Sequence, residues 1–198
     1  MVTADQVASV ILARSGRWTD AMKLQKLLYY VQSWHLAITD EPLFSERFKA
    51  YRDGPVVPQV RHARADRNTR RADQDLTGIQ LDSLSSDIVD LVLASYGSRS
   101  GEELSTLTHS EEPWVQARGG LSDDAAGNTP ISEATMAAYY RAHRTLGGRT
   151  ASDLAAGGIH LSGGDAGAPV DVDALLAVLP VDMPVDRWGG ANLPNEQA

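Results

Sequence analysis

Apolar residues recur every three or four positions along most of the chain, and the helices this period predicts begin and end on residues suited to capping. Thr3-Ala-Asp-Gln6 reads as a capping box, with Val7, Val10 and Ile11 following at helical spacing until Gly16. Thr19 is placed to cap a second helix, Lys23 to about Ile38, and Asp82 or Ser83 a third that carries Leu84, Ile88, Leu91 and Val92 toward Gly97. Ser100-Gly-Glu-Glu103 is a second box and predicts a short helix to about Thr106. Ser110 is read as the cap of a turn through Trp114 to Arg118, and Ser132 as the cap of a last helix to Leu146, stopped by Gly147-Gly148. The fold class is therefore mainly α, a compact domain of about six helices.

One segment breaks the period. Between Pro42 and Val60 lie Phe44, Phe48, Tyr51 and Val56-Val57, gathered around an Asp53-Gly54-Pro55 turn and flanked by prolines that forbid helix. The expectation is a Pro/Gly-rich extended loop or short hairpin inserted after the second helix. Helical spacing resumes from Gln59 to Arg71, and Thr77 to Leu81 fits a short strand or a loop equally.

On the second helix, at 100° per residue from Leu24, Leu28 lies at about +40°, Val31 at about −20° and His35 at about +20°. His35 thus falls within the apolar stripe, while Lys23 and Lys26 are expected on the solvent side. A neutral core imidazole, with its N–H given to a carbonyl or carboxylate, explains His35 without further chemistry. A metal ligand would need companions at ligand spacing. His62, His109, His143 and His160 are scattered, and no H-E-x-x-H is present. His109 with Glu111 and Glu112 reads as a helix start, its acids at the positive end.

Composition narrows the function classes. The chain has 198 residues, no cysteine and a net charge of −8. Thiolate metal sites, disulfides and a cysteine nucleophile are excluded, and no apolar run approaches the ~20 residues of a membrane span. A cytoplasmic protein without cofactor or metal is expected. No G-x-S-x-G, Walker A or strand-linked G-x-G-x-x-G pattern occurs, so the expectation is that the chain is not an enzyme. An acidic body disfavours nucleic acid, although Arg61, Arg64 and Arg67, with Arg70 and Arg71, form a basic helical edge suited to phosphates, an acidic protein or solvent.

The charge divides the chain unequally. Residues 1–150 are near balance at net −2, whereas residues 151–198 hold Arg187 alone against seven acids. Two parts are therefore expected: a helical domain over 1–148, and an acidic Gly/Pro-rich extension over 149–198, partly disordered. Within it, GGIHLSGGDAGAP has linker composition, 172–179 has an apolar run sufficient for one or two helical turns, and Arg187-Trp188 forms an aromatic pair.

Four pieces in order, KLQKLLYYVQSWHLA, EPLFSERFKAYRDGPVVPQV, YGSRSGEELSTLTHSEEPW and ISEATMAAYYRA, resemble the Panacea domain, also described as SocA-like or GepA-like and phage-associated. The likeness covers about residues 3–146, and departs from the family where Tyr51 stands in place of a frequent tryptophan. It implies a non-enzymatic prokaryotic or phage antitoxin that neutralises a toxin encoded nearby by binding it. The alternatives are an adaptor delivering its toxin to a bacterial protease, or a DNA-binding autorepressor. With this reading, Tyr29, Tyr30, Trp34, Tyr51, Arg61, Arg64 and Trp114 are candidate partner-binding residues, each aromatic having core packing as its alternative. His35, Gly54, Pro55, His109 and Pro113 are assigned to the structural motif.

Overall fold

The structure, a computed structural model, describes residues 1–15, 19–64, 76–122 and 124–157. Eight helices and one two-stranded sheet occur among them: α1 (Ala4–Arg14), α2 (Ala21–Thr39), β1 (Lys49–Tyr51), β2 (Gly54–Val56), α3 (Pro58–Ala63), α4 (Ser83–Tyr96), α5 (Gly101–His109), α6 (Glu112–Arg118), α7 (Glu133–His143) and α8 (Ala151–Gly157). The mainly α class is as the periodicity predicts. Both capping boxes form, at Thr3/Gln6 and Ser100/Glu103, and Asp82 and Ser132 cap α4 and α7.

Several boundaries differ, each for a local reason. Asp20, not Thr19, caps α2 by accepting the Lys23 N–H at 2.8 Å, while the Thr19 hydroxyl turns to Ser15. Glu111, not Ser110, is the N-cap of α6, and the Ser110 hydroxyl instead closes α5 on the Leu107 carbonyl at 2.7 Å. Helix α5 consequently runs to His109. Helix α7 stops at His143, before the expected Leu146, because Arg144 takes an extended backbone (φ −131°, ψ 154°) and its guanidinium reaches Glu111 at 3.1 Å.

Past Gly147-Gly148 the chain reverses through paired Leu146–Arg149 backbone bonds and forms α8, whose Thr150 and Asp153 exchange side-chain to backbone bonds. Ala151 and Leu154 of α8 are buried with the core. Helix α3 begins on Pro58, which needs no N–H partner at a first helical position, and its described part ends at Ala63. The remaining arginines of the expected basic edge, Arg67, Arg70 and Arg71, lie outside the described residues, as do the 172–179 segment and the Arg187-Trp188 pair.

Helix α2 is the axis of the core. It packs against α1, α4, α5, α7, α8 and β2, and every residue from Lys23 to Ala37 is buried. Leu24, Leu27, Leu28, Tyr29, Tyr30, Val31 and Trp34 supply its apolar contacts, and Tyr140 of α7 meets Trp34 edge-on at 5.4 Å. A helix enclosed on all sides must bury its polar residues too, and each such residue needs a partner. For its lysines and glutamines the partners are backbone groups of the hairpin and loops, whereas Tyr29 Oη, Ser33 Oγ and Trp34 Nε1 are buried without a hydrogen-bond partner among the described residues. Lys23 Nζ donates to the Gly97 carbonyl at 2.7 Å, Gln25 Oε1 accepts from Val57 N at 2.8 Å, and Gln32 holds Phe44 O and Leu43 N at 2.9 and 3.1 Å.

Lys23 and Lys26 therefore point inward, not to solvent. Lys26 is 1% exposed. Its ammonium donates to the carbonyls of Asp53 and Pro55, on either side of Gly54. The angular reading failed because it assigned faces to one helix in isolation, whereas five helices and a strand surround it.

The two strands pair antiparallel, Lys49 with Val56 and Tyr51 with Gly54. Gly54 has φ +100°, and a Cβ there would stand 2.5 Å from Lys26 Nζ. Only glycine fits. The far edge of β1 is covered: Ala50 N donates to Thr129 O and Ile131 N to Phe48 O, both at 2.8 Å.

Candidate partner-binding surface

The hairpin is fixed from beneath by side chains of three helices. Lys26 holds the Asp53 and Pro55 carbonyls, Ser105 Oγ also donates to Asp53 O at 2.9 Å, and Trp114 Nε1 donates to Tyr51 O at 3.1 Å. Burial lowers the Lys26 ammonium to about 7, with the nearby Asp53 carboxylate opposing that shift. The Trp114 ring is itself clasped. His109 stacks on it at 4.1 Å and the Arg118 guanidinium lies 5.4 Å from its centroid.

Above this support, Ala50 points into the core while Lys49 and Tyr51 alternate outward. The Arg61 guanidinium, exposed on α3, lies 5.6 Å over the Tyr51 ring. Beside them runs a groove of about 550 Å³ between the 45–49 segment and α3. Tyr51 and Arg61 are thus brought together at one surface, whereas Trp114, 6% exposed, belongs to the support beneath it. Val115 and Leu121, on α6 and just after it, are exposed by 48% and 45%.

The other candidates lie elsewhere. Tyr29, Tyr30 and Trp34 are fully enclosed, and Tyr30 stacks on Tyr96 at 4.0 Å, so none of the three offers a ring face to a partner in this fold. Arg64 is also interior. It ties the end of α3 to α1, donating from Nε to Asp5 Oδ1 at 2.5 Å and from Nη2 to the Asp5 carbonyl and Ser9 Oγ, each at 2.8 Å. Arg61 points outward and Arg64 inward because α3 ends at Ala63 and Arg64, its C-cap at φ −116° and ψ 11°, turns toward α1.

His35 has the partners a core histidine needs. Its Nδ1 is 2.6 Å from the Glu41 carbonyl, which can only accept, and its Nε2 is 3.2 Å from the oxygen of the Ser85 hydroxyl, which donates to Asp82 Oδ2 at 2.7 Å. Burial lowers its pKa, favouring the neutral ring. Pro113 occupies the first turn of α6, buried.

The interior also holds a carboxylate. Glu111 is 1% exposed and receives Tyr140 Oη at 2.7 Å, Arg144 Nη2 at 3.1 Å and Tyr30 Oη at 3.5 Å. Its burial raises the carboxyl to about 7, against the opposing pull of Arg144. Composition and spacing suggest a solvated helix start for both acids that follow His109. Only Glu112 is one. Among the described residues no three His, Asp or Glu side chains group as a metal site, and no helix is long and apolar enough to cross a membrane.

Compared with known proteins, residues 24–115 match the family model described as antitoxin SocA-like, Panacea domain. The matched span starts in α2 and ends in α6, taking in Lys26, the Asp53-Gly54-Pro55 turn, His109, Pro113 and Trp114. Helix α7, which carries the fourth of the resembling pieces, lies beyond it. The chain matches no curated protein and no solved structure.

Proposed function

We propose that this chain, whose residues 24–115 match the SocA-like antitoxin Panacea domain, neutralises a cognate toxin, encoded nearby, by direct protein–protein binding. The observation that carries this reading is the outward Tyr51–Arg61 pair, built on a hairpin whose carbonyls are clamped from within by Lys26 and the buried Trp114. Neutralisation needs a stoichiometric complex of high affinity. A Kd of about 1 nM corresponds to roughly −12 kcal/mol, and binding energy of that size concentrates in a few aromatic and arginine anchors. A rigid platform limits the entropy lost on association, because its anchors are already ordered. The family motifs then act on one feature, since the lysine of K-L-Q-K and the glycine of G-P-V together set the shape of the hairpin. The protein acts by binding and catalyses no reaction.

The test is coexpression with each adjacent gene product that arrests growth. Growth should be restored and the two chains should copurify in fixed stoichiometry. If no neighbouring product is toxic, or if a toxic one is neither bound nor neutralised, the reading fails.

A further inference from the structure

We propose that the outward face of the β1–β2 hairpin, together with the groove beside it, docks an acidic extended segment of the partner polypeptide; this rests on the toxin-binding reading and names the chemistry of that contact.

The chain as a whole carries −8, yet this face presents Arg47, Lys49, Arg52, Arg61 and His62. Its acids are largely occupied. Asp53 pairs with Arg52 at 3.1 Å and Glu133 with Arg47 at 3.5 Å, while Glu46, in the groove, accepts the Ala4 N–H through Oε1 at 3.1 Å and keeps Oε2 buried without a hydrogen-bond partner among the described residues. Among the described residues, neither Lys49 nor Arg61 has a carboxylate within ion-pair distance. Two cations with no ion-pair partner among the described residues therefore flank the outward Tyr51, one of them beside its ring and the other lining the groove. Carboxylates at alternate positions of an extended chain would meet both, with Tyr51 between them as an apolar contact.

The hairpin also decides how such a segment is read. The carbonyls of Asp53 and Pro55 and the Val57 N–H are taken by Lys26 and Gln25, and β1 is bordered by residues 129–131. Addition of a further strand through backbone bonds is thus opposed at both edges. Recognition falls to side chains on the face, which is where the unneutralised charge lies.

The experiment titrates the full chain with a fluorescein-labelled dodecapeptide of alternating Glu and Thr. The comparators are the corresponding Gln/Thr peptide and a single-stranded dodecanucleotide, in 50 and 300 mM NaCl. We expect the Glu peptide to bind at least tenfold more tightly than the Gln peptide, with the difference shrinking at high salt. Lys49→Glu/Arg61→Glu should weaken it at least tenfold, and Arg99→Glu, at the α4–α5 turn, should not. Should the double reversal not fold, as judged by its melting curve, Lys49→Gln/Arg61→Gln replaces it with the same expectation. Equal binding of the two peptides, indifference to the variants, or tighter binding of the oligonucleotide through the same two residues overturns the proposal. Coexpression separates the two readings. If the folded double variant still neutralises the toxin, this surface is wrong and neutralisation stands; if the wild type neutralises nothing while the peptide follows the charge pattern, neutralisation falls and the acidic-segment site stands.

Discussion

At the scale of single residues, the interior holds two ionisable groups whose burial works in opposite directions with pH. Lys26 falls from 10.5 to about 7. Between those values the unfolded chain binds the extra proton, so this group makes stability rise as pH rises from about 7 toward 10.5; below 7 both states are protonated and its contribution is flat. Glu111 rises from 4.5 to about 7, so the native state binds the extra proton. Its contribution is full below 4.5 and is lost as pH rises through 7. From these two groups alone, stability is least near neutrality. Urea midpoints measured from pH 4.5 to 7 should fall less in Glu111→Gln than in wild type. Lys26→Met should abolish the rise above pH 7 and, by leaving the buried Pro55 carbonyl unpaired and Asp53 O with Ser105 alone, cost about 1–3 kcal/mol at neutral pH. An unchanged midpoint in Lys26→Met would show that the ammonium does not hold the turn.

At the scale of elements, the hairpin depends on the space over Lys26 as much as on its own backbone bonds. Gly54→Ala must accept φ +100° and also a Cβ 2.5 Å from Lys26 Nζ and 2.9 Å from Thr108 Oγ1. Gly119, the left-handed C-cap of α6 at φ 58°, has nothing within 4 Å of an added Cβ. The pair separates strain from collision. Gly119→Ala should cost about 1 kcal/mol, and Gly54→Ala about 2–4 kcal/mol. Equal losses in thermal unfolding would mean that packing beneath the turn contributes nothing.

At the scale of the molecule, α2 is surrounded, and what surrounds it includes α8, beyond Gly148. Ala151 and Leu154 are 1% and 0% exposed. A chain ended after Gly148 should therefore be less stable than one ended after Gly157 by about 2–4 kcal/mol, the usual loss of a buried leucine with its neighbours. Matching urea midpoints for the two would place the boundary of the folded body at 148, where the charge asymmetry puts it. The surface reading also belongs to this scale. A complex steered by Lys49 and Arg61 should associate more slowly as salt rises while its dissociation changes little, which stopped-flow mixing with the copurified toxin would measure.

Periodicity and caps by themselves determined the helix inventory, since a 3.6-residue apolar repeat and a Ser, Thr or Asp before it act within a few residues of one another. They were enough for six helices, the interrupted hairpin segment and a core role for His35. Thr150-Ala-Ser-Asp153 carried a legible box for α8 that the low-complexity composition around it concealed. What only the tertiary structure decided was which polar residues go inside. Lys26 on the Asp53 carbonyl, Arg64 against Asp5 and Glu111 among Tyr30, Tyr140 and Arg144 are joined across 27, 59 and as many as 81 positions of sequence. A charge buried with its partners and a charge left in water look alike along the chain, because desolvation and pairing depend on neighbours that folding alone brings close.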